Sequence, residues 1–176
     1  MIIVIDNFFA PWQLKLVTDE VKKLQFYNIA NHPKKDTGTD YPGIRTEDFH
    51  RDHSLLDSFI IQSVGHRNTI FSAHRPWGCQ MYAHLRTKDA EKSDFIHKDL
   101  RCDWAFLIYL SETNLESGTK FYKSVESSKE DDNMFVKFEQ NRIIMFDSSV
   151  PHMSYNNHGK DLNDGRLTIN GFCKYT

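Results

Sequence analysis

The sequence predicts a mostly β protein, a small β-sandwich or barrel with helices packed outside it, in a single domain spanning residues 1–176. Two observations support this prediction. From about residue 78 onward, short runs rich in aromatic and β-branched residues alternate with glycine, aspartate, asparagine and serine. Before that point, two segments place apolar residues at helical spacing. We therefore expect residues 1–75 to form a helical support region and residues 76–176 to form the β core.

The N-terminal region is predicted to begin with a strand and to continue with two helices. Residues 2–5 are β-branched and predict the strand. Pro11 suits the first position of a helix over residues 11–25. Residues 31–46 are rich in proline, glycine, aspartate and threonine, which predicts a loop. Ser54 can cap the second helix. Its predicted apolar stripe comprises Leu55, Leu56, Phe59, Ile60 and Val64.

The C-terminal region is predicted to contain eight strands. These are residues 78–85, 95–99, 103–110, 120–123, 134–138, 142–146, 152–155 and 166–174. The most apolar run of the chain lies in the third of them, which indicates a strand buried on both faces. The polar segment 111–133 is predicted to be mainly a solvated loop.

Composition and charge restrict the partners that we expect. The formal net charge of -2 and the pI near 6.5 give no field that would attract nucleic acid or an anionic membrane. No stretch approaches the roughly 20 apolar residues of a membrane span, and the apolar start of the chain is too short for a signal peptide. Three cysteines without C-x-x-C spacing predict free thiols in a reducing compartment. We therefore expect a cytoplasmic protein.

A His-x-Asp motif precedes the most apolar predicted strand. Side chains two apart in a strand point to the same face, so His97 and Asp99 could both reach one metal ion. The sequence contains a second such pair, His50 and Asp52, but no strand pattern follows it. We therefore favour His97 and Asp99 as metal ligands.

A third metal ligand has to come from another strand. His152 follows a predicted strand and a turn, and Pro151 favours an extended backbone before it. His158 is the alternative, but it lies in a polar run only eight residues before Arg166. We therefore favour His152 on its position. Two histidines and one carboxylate form the ligand set that is typical of non-haem Fe(II) oxygenases.

Arg166 opens a predicted strand in which polar and apolar residues alternate. Arg166, Thr168 and Asn170 share one face, and Leu167 and Ile169 share the other. Polar side chains on an inward face need polar partners. A guanidinium offers the planar, two-pronged geometry that fits a carboxylate, so Arg166 suits the far carboxylate of 2-oxoglutarate.

The His-x-Asp motif, the distal histidine and the Arg-x-Thr sequence together resemble the Fe(II)/2-oxoglutarate-dependent dioxygenase superfamily. The resemblance is greatest to its prolyl-4-hydroxylase-like branch and the small bacterial and phage relatives of that branch. It covers residues 78–174 by motif and, more loosely, the start of the chain, where Val4-Ile5-Asp6-Asn7-Phe8 precedes a helix. It implies a double-stranded β-helix, the cupin-like jelly roll, which agrees with the predicted strands.

The resemblance also implies roles for individual residues. The residues that would hold Fe(II) are His97, Asp99 and His152. Those that would hold 2-oxoglutarate are Arg166, with Thr168 as a helper, and Tyr82, which is similar to family tyrosines that donate to the co-substrate. Gly118 and Thr119 match the small-residue turn that follows the strand after the metal motif.

The activity that the resemblance implies is hydroxylation of a C–H bond in a peptide side chain or a small molecule. O2 and 2-oxoglutarate would be consumed, and succinate and CO2 released. Two alternatives remain open: a non-catalytic jelly-roll binding module, and a cupin-type metal enzyme that does not use 2-oxoglutarate. The sequence carries no signal for the identity of the substrate or for an oligomeric state.

Overall fold

The computed structural model describes residues 1–33, 41–67, 76–89, 94–131 and 133–176, with the backbone alone described at residues 51 and 52. Within these ranges the chain forms nine strands, three α-helices and one 3-10 turn. The strands are β1 (Ile2–Ile5), β2 (Ile44–Arg45), β3 (Trp77–Arg86), β4 (Trp104–Tyr109), β5 (Asn114–Phe121), β6 (Met134–Phe138), β7 (Ile143–Asp147), β8 (His152–Tyr155) and β9 (Arg166–Tyr175). The helical elements are α1 (Pro11–Lys22), the 3-10 turn (Ile29–Asn31), α2 (Phe49–Asp52) and α3 (Ser54–Arg67).

The strands assemble into two antiparallel sheets. The larger sheet has the order β1-β7-β4-β9-β3-β2, and the smaller has the order β6-β5-β8. The two sheets pack face to face around an apolar cluster. Helices α1 and α3 cover the other face of the larger sheet. The predicted mostly β jelly roll with flanking helices is therefore confirmed.

Strand β4 contributes to the core on both of its faces. Phe106 and Ile108 point toward the helices, whereas Leu107 and Tyr109 point into the space between the sheets. All six residues of the strand are buried. Because each fully buried large apolar side chain contributes about 1.5–3 kcal/mol, this strand is a main source of stability. The prediction of a strand buried on both faces is confirmed.

The helices follow the predicted pattern with two differences. Helix α1 begins at Pro11 but ends at Lys22, since the next two N–H groups donate to carbonyls three residues back and tighten the last turn. In α3, Leu55 is 87% exposed, whereas Ile60 and Val64 are buried. Leu55 lies roughly 140° around the helix from Ile60 and roughly 180° from Val64, so it faces away from the sheet. None of the helices in the described ranges has the length and apolarity needed to cross a membrane.

Two segments that were predicted to be loops contain strands. Residues 31–46 include β2, which pairs with β3 at the edge of the larger sheet; residues 34–40 lie outside the described residues. Residues 111–133 include β5, the central strand of the smaller sheet. The sequence of β5 is mostly polar, and β2 has only two residues, so neither shows the periodicity on which strand prediction depends.

The strand that was predicted over residues 95–99 does not form. His97 makes a single bridge pair with His152 at the start of β8. The next anchored residue, Asp99, donates its N–H to the carbonyl of Ser148 in the turn before β8, at 3.0 Å. The segment therefore follows β8 for one pair only.

Gly118 and Thr119 lie within β5 and not in a turn, so that prediction is wrong. A Cβ atom at residue 118 would lie 2.2 Å from the carbonyl oxygen of Val136 on β6. The register between β5 and β6 shifts between Asn114 and Gly118. The close approach of the two backbones therefore requires glycine here.

Candidate metal centre

His97, Asp99 and His152 lie together between the two sheets. Their ligand atoms all lie within 4.8 Å of one another. The Asp99 carboxylate faces both rings, with Oδ1 3.8 Å from Nε2 of His97 and Oδ2 3.5 Å from Nε2 of His152. Two imidazoles and a carboxylate at these distances can hold one divalent transition metal ion.

The backbone fixes the relative positions of the three residues. His97 and His152 exchange two backbone hydrogen bonds, of 3.0 and 2.9 Å. Asp99 is held by its N–H, which donates to the Ser148 carbonyl at 3.0 Å. His152 therefore begins β8, as its position after a strand and a turn predicted. The segment that carries His97 and Asp99 lies against β8 without forming a strand.

The hydrogen bonds of the two imidazoles orient their metal-binding nitrogens. Nδ1 of His97 lies 3.0 Å from the Phe95 carbonyl, and Nδ1 of His152 lies 3.0 Å from the Val150 carbonyl. A neutral imidazole that donates from Nδ1 presents the lone pair of Nε2. In both residues Nε2 is the atom that faces Asp99, so the triad fits a metal ion.

Burial sets the protonation of the triad. It raises the pKa of Asp99 to about 6, although the neighbouring His97 acts in the opposite direction. Burial lowers the pKa of His152 to about 4. The pKa of His97 is also lowered, by burial first and then by His152. At neutral pH the imidazoles are therefore neutral and the carboxyl group ionised, which is the state that binds a cation.

The alternative histidines are not part of the triad. His158 packs against the ring of Phe138, with ring centroids 5.5 Å apart, and burial lowers its pKa. His50 lies on short helix α2, and the side chain of Asp52 lies outside the described residues. Among the described residues, His97, Asp99 and His152 are the only group of three that could hold a metal ion.

The triad opens onto a cavity of about 810 Å³. Strands β3 and β9 form one wall of this cavity, and residues 94–101 form another. Tyr82 and Arg166 also line it. The structure therefore brings the predicted metal ligands and two of the predicted co-substrate residues to one space.

Arg166 is a buried cation without an acidic partner in the described part of the chain. Its side chain is only 3% exposed, and Nη2 lies 3.2 Å from the hydroxyl of Thr119 and 3.4 Å from the carbonyl of Gly118. Nε has no hydrogen-bond partner there. No carboxylate of the described residues lies within 4.0 Å of the guanidinium. A buried guanidinium in this state fits an anionic ligand.

Tyr82 and Thr168 occupy different positions relative to the cavity. Tyr82 stacks on Phe172 at 5.6 Å, and burial raises its pKa, so it is a neutral donor at the cavity wall. Thr168 is 1% exposed and does not line the cavity. Its hydroxyl lies 2.7 Å from Oδ1 of Asn170, which does line the cavity. The Thr168 hydroxyl therefore orients the side chain of Asn170.

Sequence reasoning missed a buried ion pair beside the triad. Arg86 pairs with Asp94, whose carboxylate also accepts from Ser154 at 2.7 Å and from Asn157 at 2.6 Å. Arg86 shares the cavity face of β3 with Tyr82, and strand alternation alone could have indicated this. The position of Asp94 depends on the fold of residues 94–101 and carries no sequence signal.

No protein-family model matches the sequence, and no curated protein matches it either. Solved structures do match it by fold. HygX from Streptomyces hygroscopicus, solved with nickel, 2-oxoglutarate and hygromycin B, shares 13% identity at a TM-score of 0.67, covering 98% of this chain and 82% of HygX. A Pseudomonas putida prolyl-4-hydroxylase shares 13% identity at a TM-score of 0.67, and the match covers 99% of this chain and 92% of the hydroxylase.

A third structure extends the range of activities that this fold supports. The non-haem α-ketoglutarate-dependent epimerase SnoN from nogalamycin biosynthesis shares 8% identity at a TM-score of 0.72, covering 98% of this chain and 76% of SnoN. The chain therefore has the fold of the 2-oxoglutarate- and Fe(II)-dependent oxygenases. Within that class, its structural neighbours include a prolyl hydroxylase, in agreement with the resemblance in the motifs.

Proposed function

We propose that this protein is a non-haem Fe(II)- and 2-oxoglutarate-dependent dioxygenase. It hydroxylates a C–H bond of a small molecule or a peptide side chain and releases succinate and CO2. One observation carries the proposal: a triad of two histidines and a carboxylate shares a cavity with a buried arginine that has no acidic partner in the described residues. The 2-oxoglutarate bound in HygX and the hydroxylase among the neighbours support it.

The triad would hold the metal through Nε2 of His97, Nε2 of His152 and the carboxylate of Asp99. Fe(II) bound there would supply the activation of O2 that no protein side chain can provide. A site with only three protein ligands would also leave room for the co-substrate. The carbonyls of Phe95 and Val150 hold the imidazoles in the tautomer that this requires.

The cavity wall binds and orients the co-substrate. Arg166 pairs with the far carboxylate of 2-oxoglutarate through its planar guanidinium. Tyr82 is a neutral phenol at the wall and donates a hydrogen bond to the same ligand. Thr168 acts indirectly, because its hydroxyl orients Asn170. Burial of these groups excludes water and strengthens each polar contact.

Anaerobic titration tests the proposal. We expect the protein loaded with Fe(II) to develop a visible charge-transfer band when 2-oxoglutarate is added, and to form succinate when air is admitted. His97→Ala should abolish metal binding, whereas Arg166→Gln should keep the metal and lose the band. His50→Ala is the matched control, because His50 lines the same cavity outside the triad.

Two outcomes would contradict the proposal. Ligand binding that is undisturbed by His97→Ala, with no succinate formed in air, indicates a non-catalytic binding module. Turnover that is insensitive to the removal of O2 and to Arg166→Gln indicates a cupin-type metal enzyme. A gain of 16 daltons on candidate substrates, measured by mass spectrometry, would test the hydroxylation itself.

A further inference from the structure

A second buried arginine, Arg45, lies on the wall of the same cavity. It belongs to β2 and is only 8% exposed. Its backbone is held on both sides, since it pairs with His84 on β3 and exchanges hydrogen bonds of 2.8 and 3.0 Å with Tyr27. Gly43, at φ +83°, lets the chain enter β2 against the backbone of Leu85. The backbone that carries the Arg45 side chain is therefore held in place by hydrogen bonds on both sides.

The guanidinium of Arg45 lies over two tyrosine rings. Its Cζ is 4.1 Å from the ring centroid of Tyr41 and 4.7 Å from that of Tyr82. Nε has no hydrogen-bond partner among the described residues. No carboxylate in the described ranges lies within 4.0 Å of it. Aromatic rings stabilise a cation, but they do not replace the hydrogen bonds that a buried guanidinium loses on leaving water.

Arg45 and Arg166 extend from different strands of the cavity wall. On β3, His84 pairs with Arg45 on one side and with Thr168 on the other, so the three residues form one row across β2, β3 and β9. Arg166 lies two residues before Thr168 on β9. Strands ~4.8 Å apart and residues ~3.3 Å apart along a strand put the Cα atoms of the two arginines about 12 Å apart. Tyr82, which contacts Arg45, lines the same cavity as the triad.

The cavity carries more positive than negative side chains. Its basic side chains are Arg45, Arg86, Lys98, Arg101, Arg166 and Lys174. Three acidic side chains line it, of which Asp94 pairs with Arg86 and Asp99 belongs to the triad. This excess of positive charge lies in a chain whose net charge is -2. A site that binds 2-oxoglutarate through Arg166 therefore retains a cation for a second anionic ligand.

We propose that Arg45 binds a carboxylate of the primary substrate, which makes the substrate a small carboxylic acid. The inference rests on the proposed function and names the substrate class of that site. The two tyrosine rings lie over the guanidinium, and its Nε has no hydrogen-bond partner among the described residues, so a carboxylate can complete its hydrogen bonding. Phe95 and Leu100, both exposed at the cavity, offer apolar contact to the rest of the molecule.

A matched pair of probes tests this assignment. Phenylacetate and phenylacetamide have nearly the same shape but differ in charge. We titrate each by calorimetry into protein loaded with Ni(II) and saturated with 2-oxoglutarate, so that Arg166 is already occupied. We expect phenylacetate to bind at least about tenfold more tightly, the smallest effect of a charge-assisted hydrogen bond. Arg45→Gln should remove this preference and leave the affinity for 2-oxoglutarate unchanged.

The controls separate this inference from the proposed function. Arg101→Gln, which removes an exposed basic residue of the same cavity, should keep the preference. If 2-oxoglutarate binds normally and Arg45→Gln still prefers phenylacetate, the inference is overturned while the proposed function stands. If Arg45→Gln instead lowers the affinity for 2-oxoglutarate, Arg45 is a co-substrate residue and the inference is also overturned. Failure of wild-type protein to bind 2-oxoglutarate would contradict the proposed function.

Two further variations keep the experiment decisive. Should Arg45→Gln fail to fold, judged by its melting curve, Arg45→Met replaces it; this variant removes the charge and keeps an unbranched apolar side chain against the tyrosine rings. An unchanged preference for phenylacetate in Arg45→Met would contradict the assignment. The capped dipeptide acetyl-Glu-Phe-amide tests a peptide as the source of the carboxylate. If it binds more tightly than phenylacetate through Arg45, the substrate is not a small acid.

Discussion

The charge of Asp99 controls whether the triad can bind a cation. Burial raises its pKa to about 6, while the pKa of His152 falls to about 4. The two shifts have one cause, because a buried site disfavours whichever form of a group is charged. Near neutral pH the imidazoles are already neutral, so the carboxyl group alone couples proton and metal binding.

Metal affinity should therefore depend on pH below about 6. Protonation of Asp99 removes a ligand, so we expect the affinity for Ni(II) to fall by about tenfold per pH unit below that value and to be nearly constant between pH 7 and 8. Calorimetric titration in buffers that do not bind metals measures this. Affinity that already falls tenfold between pH 8 and 7 would contradict the protonation states described for the triad.

Tyr82 provides a second test at the residue scale. Tyr82→Phe keeps the stacking on Phe172 and removes the phenol that faces the cavity. We expect 2-oxoglutarate to bind about tenfold more weakly, the effect of one lost hydrogen bond to a charged group. Metal affinity should not change. Tyr41→Phe is the control in the same anaerobic titration, and equal behaviour of the two variants would remove Tyr82 from the co-substrate site.

Individual elements differ in how well the sequence predicts them. Strands β4, β7 and β9 were predicted within two residues at each end, because β4 and β7 are continuous apolar runs and β9 alternates polar with apolar residues. Strand β5 was missed over most of its length because its residues are largely polar. Residues 95–99 have strand composition but lack a partner beyond one bridge pair. Pairing depends on tertiary structure, which local composition does not contain.

A substitution in β5 tests the packing of the smaller sheet. Gly118→Ala places a methyl group against the backbone of Val136, where little can move. We expect a loss of about 1–3 kcal/mol in the free energy of unfolding, as for overpacked sites. Gly78→Ala is the matched control, because a Cβ atom there meets nothing within 4 Å. Urea denaturation measures both, and equal stability of the two variants would contradict the described contact between β5 and β6.

At the scale of the whole molecule, the site combines distant parts of the chain. The triad and Arg166 could be predicted because a short motif and strand alternation identify them. Arg45 and Asp94 could not, because their neighbours follow from which strands are adjacent in the sheet. The net charge of -2 likewise concealed the cationic cavity. Basic residues dispersed along the sequence converge only when β2, β3 and β9 lie side by side.

Metal binding should stabilise the entire fold. The ligands come from a segment before β4 and from β8, so the unfolded chain does not hold them together. A metal at 100 times its dissociation constant should add about 2.7 kcal/mol to the free energy of unfolding. Melting curves of wild type with Ni(II) and with a chelator measure this. We expect His97→Ala to show no such difference and His50→Ala to retain it; the reverse would contradict the ligand assignment.

The single bridge between His97 and His152 has a consequence for the dynamics of the protein without metal. Apart from the local hydrogen bonds that the Asp99 carbonyl accepts from Cys102, the backbone of residues 95–99 makes three hydrogen bonds to the described residues: two with His152 and one to Ser148. Such a segment can open without disturbing the sheets. In metal-free protein, the amide hydrogens of His97 and Asp99 should therefore exchange with solvent faster than those of β4, and metal should slow them selectively. Local opening of this segment would then be the route by which the metal enters and leaves.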